Sequence, residues 1–343
     1  MRLLLTGGAG YIGSHTVLAA LRGGHEVVIV DDFSHSSKDV LSALEAASGV
    51  SVPCYEADVR NTSQMRAILA WEGIDAVLHF AGVKSVGESV EDPLKYYRVN
   101  VAGSLSLLEA MQDARVARLV FSSSATVYGA PQYLPIDEDH PLSVTNPYGR
   151  SKLQVEDILR DHCAAQPHWS AAILRYFNPV GADACGLIGE SPSGVPANLM
   201  PYVADVAAGE RAFVGVFGDD YLTRDGTGIR DYIHVADLAE AHIAAVDWTL
   251  HETGARAFNL GGGRGTTVLE MIAAFSQASG QDIPYQVLPR RPGDVGSCYA
   301  DPSRAARELG WATRHGIEEM CSSGWAWRSK AGTGRIEPGF AAL

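Results

Sequence analysis

Cysteine is scarce in this chain, and the cysteines it has are not paired in sequence. Five of them are scattered among 343 residues, and no two stand in a Cys-x-x-Cys pattern. An odd number without paired spacing disfavours a disulfide framework and a structural zinc site, and it fits a reducing compartment. We therefore expect a cytoplasmic protein without a bound metal.

Long apolar runs and an excess of positive charge are also missing. No stretch approaches the roughly 20 apolar residues that a membrane-spanning helix needs, and the apolar run at residues 3–5 is too short for a signal peptide. The net charge is −13, from 27 basic and 40 acidic residues. Because nucleic acids and anionic membranes repel an acidic surface, we expect neither as a partner.

The first half of the chain contains short apolar strands that alternate with helical patterns. The strand-like runs are residues 3–5, 27–30, 76–80, 119–121 and 172–176, and the helical patterns include residues 65–71 and 94–111. Such alternation predicts a parallel sheet with helices on both faces. A length of 343 residues leaves room for a second unit.

After residue 178 the periodicity becomes mixed. Helical patterns recur near residues 199–208, 238–248 and 268–279, and short strands near residues 213–217, 257–260 and 285–288. We predict a Rossmann-like, doubly wound α/β domain over residues 1–177. A smaller mixed α/β lobe over residues 178–330 would bind the substrate, with some segments returning to the sheet. Residues 331–343 contain Gly and Pro and are expected to form a loose tail.

A glycine-rich loop follows the first strand and opens the first helix. It reads Gly7-Gly8-Ala9-Gly10-Tyr11-Ile12-Gly13. Glycines allow a tight turn and a close approach to a pyrophosphate, whose charge the helix N-terminus favours. Asp31, after the second strand, can accept hydrogen bonds from an adenine ribose and would repel a 2′-phosphate; the alternative is a turn residue beside Asp32. The pattern predicts an NAD site.

A tyrosine and a lysine lie four residues apart in the middle of the chain. Pro147 suits the first turn of a helix, on which Tyr148 and Lys152 would share one face. Lys152 and the nicotinamide charge both favour the phenolate, so Tyr148 can act as a general base. Ser124 ends a strand at the same sheet edge and can align the substrate oxygen. The alternative, a surface tyrosine and a solvated lysine, is disfavoured beside an NAD loop.

Seven longer strings carry a more specific resemblance; they are residues 6–15, 79–82, 87–90, 121–129, 174–181, 225–235 and 289–294. With the glycine loop, Ser124 and the Tyr148/Lys152 pair, they make the chain similar to the extended short-chain dehydrogenase/reductase superfamily. More narrowly, it resembles the UDP-glucose 4-epimerase family from residue 3 to about residue 327. The resemblance implies an isomerase that interconverts UDP-galactose and UDP-glucose through a 4-keto sugar on tightly bound NAD. It also implies a homodimer.

Strand-end positions and this resemblance together predict two sets of binding residues. The predicted cofactor residues are Gly7, Gly10, Tyr11, Ile12, Gly13, Asp31, Asp32, Phe33, Ser34, His35, Ser36, Asp58, Val59, Phe80, Ala81, Gly82, Lys84, Asn100, Ser124, Tyr148, Lys152 and Phe177. The predicted substrate residues are Lys84, Ser124, Tyr148, Asn178, Asn198, Leu199, Val216, Phe217, Arg230, Arg291, Asp294 and Cys298.

Chemistry gives several substrate residues a role. The planar guanidinium groups of Arg230 and Arg291 suit a diphosphate. Asn198 precedes a predicted helix, whose free N–H groups add donors. Val216 and Phe217 are expected to line the uracil pocket.

The sequence departs from the family pattern at two positions. Val99-Asn100 stands where the family often has Asn-Asn, so one contact with the cofactor is lost or passes to Asn100. Cys298 stands where relatives restricted to UDP-glucose and UDP-galactose commonly carry Tyr. Because Cys is much smaller, we expect a roomier pocket that also accepts UDP-GlcNAc and UDP-GalNAc.

Two rival functions are weighed against the epimerase. A nucleotide-sugar 4,6-dehydratase or decarboxylase of the same superfamily is the nearer one. Dehydratases place an Asp-Glu pair just after the strand-end hydroxyl, whereas this chain has Ala125-Thr126. The other rival is a non-catalytic NAD-sensing protein, but such relatives typically lack the Tyr/Lys pair that is present at Tyr148 and Lys152.

Overall fold

The computed structural model describes residues 1–191, 196, 198–291 and 293–331. Its strands are β1 (Arg2–Thr6), β2 (Glu26–Asp31), β3 (Cys54–Glu56), β4 (Ala76–His79), β5 (Arg118–Ser124), β6 (Ser170–Tyr176), β7 (Asn178–Val180), β8 (Val214–Phe217), β9 (Ile229–His234), β10 (Gly254–Leu260), β11 (Gly265–Thr267), β12 (Tyr285–Leu288) and β13 (Ser297–Cys298).

Its α-helices are α1 (Tyr11–Arg22), α2 (Asp39–Ser48), α3 (Thr62–Glu72), α4 (Val86–Glu91), α5 (Pro93–Tyr96), α6 (Gly103–Asp113), α7 (Pro147–Ala165), α8 (Leu199–Ala207), α9 (Val235–His251), α10 (Val268–Ser279), α11 (Ser303–Glu308) and α12 (Ile317–Ala331). A π-helix spans Tyr97–Ala102, and a 3₁₀-helix spans Ala125–Tyr128. Ala331 ends α12, and the rest of the predicted tail lies outside the described residues. No helix in the described ranges is long and apolar enough to cross a membrane.

Seven strands form one parallel sheet in the order β10-β6-β5-β4-β1-β2-β3. Residues of α1 and α9 pack in the apolar cluster on one face, and residues of α3, α6 and α7 pack in the cluster on the other. The apolar strands are buried on both faces, as a doubly wound sheet requires. The predicted Rossmann-like α/β fold is confirmed.

The strand order reverses between β1 and β4. Thr6, the last residue of β1, pairs with Val30 on one side and with His79 on the other. Crevices at such a switch point, beyond the carboxyl ends of the strands, are where open α/β sheets bind ligands. The loops after β1, β2, β4 and β5 therefore meet at one edge of the sheet.

The single helix predicted over residues 94–111 is wrong in detail. The chain forms α5, then the π-helix, then α6 without leaving the helical path. Asn100 lies in the π-helical turn and is buried there with its amide bonded to the backbone of Val83. A π-turn re-aims a side chain without ending the helix, which is why apolar periodicity did not reveal it.

The smaller lobe contains two short sheets and three packed helices. One sheet has the order β11-β9-β13, with β7 also paired to β9, and the other joins β8 to β12. Helices α8, α10 and α12 enclose its apolar core. Strand β10 does not belong to this lobe, because it pairs with β6 along its full length in the large sheet.

Candidate active site

The loop between β1 and α1 forms a cradle in which Gly7 and Gly13 leave no room for a Cβ. Gly7 has φ 70°, and a Cβ there would lie 2.7 Å from the backbone N of Ala81. At Gly13 a Cβ would lie 2.3 Å from the carbonyl oxygen of Gly7. Helix α1 begins without a side-chain cap and without an acidic residue in its first turn. Its first N–H groups therefore remain available to an anion, and the cradle fits the pyrophosphate of a dinucleotide.

Asp31 is buried and connects this cradle to the loop after β2. Its Oδ2 accepts from the backbone N of Ala9 at 3.0 Å. Its Oδ1 accepts from the backbone N of Phe33 at 3.0 Å and from the Ser36 hydroxyl at 2.8 Å. Asp31 thus stabilises the turn after β2, as the alternative interpretation expects. A carboxylate has about four acceptor sites, so the ribose interpretation is compatible with these three bonds.

Other predicted cofactor residues lie at the same edge but differ in what they offer a ligand. The Phe80 ring packs on His242 at 4.7 Å between centroids. Asp58 lies two residues beyond β3 and accepts from Arg60 Nε at 2.8 Å. That hydrogen bond lowers the pKa of Asp58. The remaining members follow β1 to β4 in the loops or begin α1; they are Gly10, Tyr11, Ile12, Asp32, Ser34, His35, Val59 and Gly82.

The Asn100 amide is largely occupied within the protein. Its Oδ1 accepts from the backbone N of Val83 at 2.9 Å, and its Nδ2 donates to the Val83 carbonyl at 3.0 Å and to Ser151 Oγ at 2.9 Å. These bonds hold the loop after β4 against α7. The geometry therefore favours support of the cofactor loop over the direct contact that we expected from Asn100.

The structure brings the predicted catalytic residues together. Pro147 is the first residue of α7, and Asn146 caps the helix by accepting from the backbone N of Gly149 at 2.8 Å. Tyr148 and Lys152 are 8% and 5% exposed on its buried face. Ser124, the last residue of β5, lies close enough to Tyr148 to lower its pKa, and its Oγ accepts from the backbone N of Thr126 at 3.2 Å and from Thr126 Oγ1 at 3.0 Å. The predicted general base, Tyr148, thus lies beside a hydroxyl at the sheet edge.

Burial shifts the pKa of both predicted catalytic groups, Tyr148 and Lys152. It raises the pKa of Tyr148, an effect that the nearby Ser124 hydroxyl partly opposes. It lowers the pKa of Lys152 to about 8. The Lys152 Nζ donates to the carbonyl of Ser122 at 2.7 Å and lies 5.0 Å from the centre of the Phe121 ring. The expectation that Lys152 lowers the pKa of Tyr148 is therefore not met by the protein alone, because the loss of hydration is larger.

Arg230 and Cys298 are neighbours in the smaller lobe. They pair in register between β9 and β13. Arg230 Nη1 donates to the carbonyls of Ile229 and Val295 at 2.9 Å, and Nη2 lies 3.4 Å from Asp294 Oδ1. Cys298 packs against the cluster that contains Phe177. A fixed guanidinium and a small thiol thus adjoin the predicted cofactor contact.

The two residues predicted to hold uracil point in opposite directions. Val216 is buried in the core of the lobe, so its side chain cannot line the pocket and only its backbone is available. Phe217 points the other way, and the Arg291 guanidinium stacks on its ring at 3.6 Å. Asn178 begins β7. Helix α8 begins at Leu199 without a side-chain cap from Asn198, which leaves N–H donors at its start.

Glu190 was not predicted from the sequence. Its side chain is 14% exposed and lies 3.6 Å from Lys84 Nζ. Burial raises its pKa, while Lys84 and a hydrogen bond from Asn198 oppose the rise. Lys84 and Asn198, two predicted substrate residues, thus both interact with the Glu190 carboxylate. A single Glu in a stretch without periodicity gives no sequence signal, because its importance depends on distant partners.

Comparison with known proteins agrees with this geometry. Residues 4–323 match the family model described as GDP-mannose 4,6 dehydratase. The UDP-glucose 4-epimerase of Bacillus subtilis (strain 168) is 54% identical over 329 residues, which are 96% of this chain and 97% of the relative.

Two solved structures superpose closely on the chain. The UDP-glucose 4-epimerase of Stenotrophomonas maltophila, with bound NAD and formylated UDP-arabinopyranose, has a TM-score of 0.96 at 49% identity and covers 97% of this chain and 99% of its own. The Bifidobacterium longum enzyme, in complex with NAD+ and UDP, has a TM-score of 0.94 at 50% identity and covers 98% of this chain and 100% of its own.

Proposed function

The chain belongs to the UDP-glucose 4-epimerase family, and we propose that Tyr148, Lys152 and Ser124 carry its reaction. The family lies within the extended short-chain dehydrogenase/reductase superfamily. The protein is an NAD-dependent isomerase that interconverts UDP-galactose and UDP-glucose. The observation that carries the residue assignment is the burial of Tyr148 and Lys152, one helical turn apart on α7, beside Ser124 at the end of β5.

The proposed chemistry moves one proton at the sugar 4-hydroxyl. NAD, when bound, supplies the hydride acceptor and donor at sugar C4. Tyr148 removes the hydroxyl proton as a phenolate and returns it after the 4-keto sugar has turned. Because burial raises the pKa of Tyr148, the phenolate needs positive charge nearby, and Lys152 supplies it from the same helix. Ser124 aligns the substrate oxygen.

The proposed cofactor contacts use the cradle and the sheet edge. The loop from Gly7 to Gly13 and the first turn of α1 bind the pyrophosphate, and Asp31 binds the adenine ribose. Tyr11, whose hydroxyl donates to the carbonyl of Gly181 at 2.7 Å, ties α1 to the segment after β7. This bond supports retention of NAD between catalytic cycles.

The proposed substrate contacts lie across the crevice. Arg230 and Arg291 bind the diphosphate, Phe217 contacts the uracil, and the start of α8 adds N–H donors. We further propose that N-acetylated UDP-sugars are accepted, since the small Cys298 side chain adjoins Phe177 at the sugar end of the pocket.

A Tyr148→Phe variant tests the assignment. We expect kcat for UDP-galactose to fall at least about 100-fold, since Phe cannot accept the proton. Tyr128→Phe is the matched control, because Tyr128 is an equally buried phenol that bonds to Asn259 and Arg175 away from Tyr148. The wild-type protein should carry bound NAD and need no added oxidant. Full activity of Tyr148→Phe would refute the assignment.

We also propose a cytoplasmic homodimer. Five free cysteines support a reducing compartment. Val90 and Leu94 are 64% and 67% exposed on α4 and α5, two helices that pack on α7. A second copy of the chain would cover these apolar side chains. Sedimentation should give twice the chain mass for the wild type and a monomer for Leu94→Glu, and cell fractionation tests the compartment.

A further inference from the structure

Two tyrosine–serine pairs lie side by side at the end of β5. Ser122 and Ser124 are two residues apart, so their side chains leave the same face of the strand. Ser124 lies close enough to Tyr148 to lower its pKa, and the Ser122 hydroxyl bonds to the hydroxyl of Tyr176. In the parallel register, Ser122 pairs with Leu174 and Ser124 with Tyr176. Tyr176 is therefore the diagonal neighbour of Ser122, within reach of a long side chain.

Ser122 is also the residue that holds the catalytic lysine. Its carbonyl accepts from Lys152 Nζ at 2.7 Å, and the ammonium is otherwise set against the ring of Phe121. One residue thus bonds Lys152 through its backbone and Tyr176 through its side chain. A shift of Ser122 would displace the charge that stabilises the Tyr148 phenolate.

Tyr176 is well fixed and stays neutral. Its ring is buried and lies 5.8 Å from the ring of His242, whose Nδ1 is bonded to the Leu238 carbonyl at 2.8 Å. Burial raises the pKa of Tyr176 well above its usual value. Tyr176 is also close enough to Tyr148 for a charge there to raise that pKa further. Because it stays neutral, the Tyr176 phenol can hold Ser122 over the whole working pH range without competing with Tyr148 as a base.

We propose that Tyr176 is a positioning residue that, through its bond to Ser122, fixes the carbonyl that holds the Lys152 ammonium beside Tyr148. The proposal rests on the proposed roles of Tyr148 and Lys152 and adds a residue that touches neither of them through a hydrogen bond. The proposal gives a role to the buried Tyr176–Ser122 pair, which lies beside Tyr148 and Ser124.

Several other groups face the catalytic tyrosine or its helix. Tyr96 approaches Tyr148 edge-on from α5 at 6.3 Å between ring centroids, and its hydroxyl donates to Glu88 at 2.8 Å. Lys95 also bonds to Glu88, and the pKa of the buried His79 is lowered in part by Lys152. Glu156, one turn after Lys152 on α7, is bonded to Arg175 of β6. Removing the Tyr176 hydroxyl leaves all these contacts in place, so a change in pH dependence reports on Lys152.

The test is the dependence of kcat on pH in the holoenzyme for Tyr176→Phe and Ser122→Ala. We expect the acidic limb, where Tyr148 must lose its proton, to move up by about one pH unit, so that kcat near neutral pH falls about tenfold. Activity should recover at higher pH, with KM little changed. Ultraviolet titration of tyrosinate should show the same shift. Tyr128→Phe should lower stability without moving the pH profile.

The outcomes separate this proposal from the catalytic assignment. Wild-type pH profiles for both Tyr176→Phe and Ser122→Ala, or an equal loss of kcat at every pH, would overturn the positioning role. If Tyr176→Phe does not fold, the Ser122→Ala profile decides. Full activity of Tyr148→Phe in the same assay would instead refute the catalytic assignment on which the proposal rests.

Discussion

At the scale of single residues, we propose that the volume of the Cys298 side chain sets the width of the sugar site. Cys298 lies on β13 between Arg230 and the cluster that contains Phe177. A tyrosine there would fill space with an aromatic ring, whereas the thiol leaves that space to the substrate. The difference concerns shape alone, so the catalytic residues need not change with it.

We expect the wild type to epimerise UDP-GlcNAc as well as UDP-galactose. Cys298→Tyr should lower kcat/KM for the N-acetylated sugar by roughly 100-fold or more, because a filled pocket clashes with the acetyl group. Its activity on UDP-galactose should change only a few-fold. Cys298→Ser keeps the small volume and serves as the control that retains both activities. A wild type inactive on the N-acetylated pair would contradict this prediction. Product separation for both sugar pairs measures the outcome.

The sequence predicts those candidate site residues whose spacing has a local cause. The glycine loop, Asp31 and the Tyr148/Lys152 pair are readable because a strand end or one helical turn relates their members. Glu190 and the Tyr176–Ser122 pair were not found, since their partners come from distant parts of the chain. The rise that burial causes in the pKa of Tyr148 was also not predicted, because burial cannot be read from spacing.

At the scale of elements, the N-terminus of α7 lies unusually close to the 3₁₀-helix after β5. A Cβ at Gly149 would lie 2.9 Å from the carbonyl oxygen of Thr126. That contact sets how near Tyr148 comes to Ser124. The start of α7 was predictable from Pro147, but the close approach was not, because it depends on two elements at once. The π-helix escaped prediction for the same reason.

Gly149→Ala should therefore lower activity although alanine is the better helix former. Alanine favours an isolated helix by about 1 kcal/mol, but here α7 must move away from Thr126. A shift of that kind should cost roughly 10- to 100-fold in kcat. Gly87→Ala in α4 is the matched control, since a Cβ there meets nothing within 4 Å. Steady-state kinetics and thermal unfolding of both variants check the prediction, and unchanged kcat in Gly149→Ala would contradict it.

At the scale of the whole molecule, buried neutral histidines tie stability to pH. Burial lowers the pKa of His15, His234 and His242 to about 4 and that of His79 to about 3. An unfolded histidine titrates near 6.5. As the pH falls through 6.5 toward 4, these histidines therefore bind protons in the unfolded chain but remain neutral in the folded chain. Their contribution to stability is complete above about pH 6.5 and is lost toward about pH 4.

We accordingly expect the free energy of unfolding to fall by several kcal/mol between about pH 7 and about pH 5, at roughly 1.4 kcal/mol per pH unit for each histidine. Denaturant titrations at both pH values measure it. His242→Leu should flatten the dependence by removing one site. His251→Asn should leave it unchanged, because His251 is exposed. An unfolding free energy independent of pH over this window would contradict the prediction.

The fold class was fully predictable, since alternating buried strands and helices specify a doubly wound sheet. The strand that completes that sheet, β10, was harder to predict. The run at residues 257–260 looks like any short strand of the smaller lobe, and nothing local marks it as the partner of β6. Its place follows from the pairing of Gly254–Leu260 with Ser170–Tyr176, which only the folded chain displays.

The pairing of β6 with β10 also limits which parts of the protein can fold first during synthesis. All seven residues of β6 are buried, and β10 covers its outer edge. A chain cut after residue 177 would present β6 as an open, apolar edge, which invites aggregation. During synthesis the sheet cannot be completed until Leu260 has left the ribosome, and strands β11 to β13 and helices α10 and α12 of the smaller lobe follow only later. We therefore expect the large sheet to need the chain as far as residue 260 before it folds, but not the complete smaller lobe.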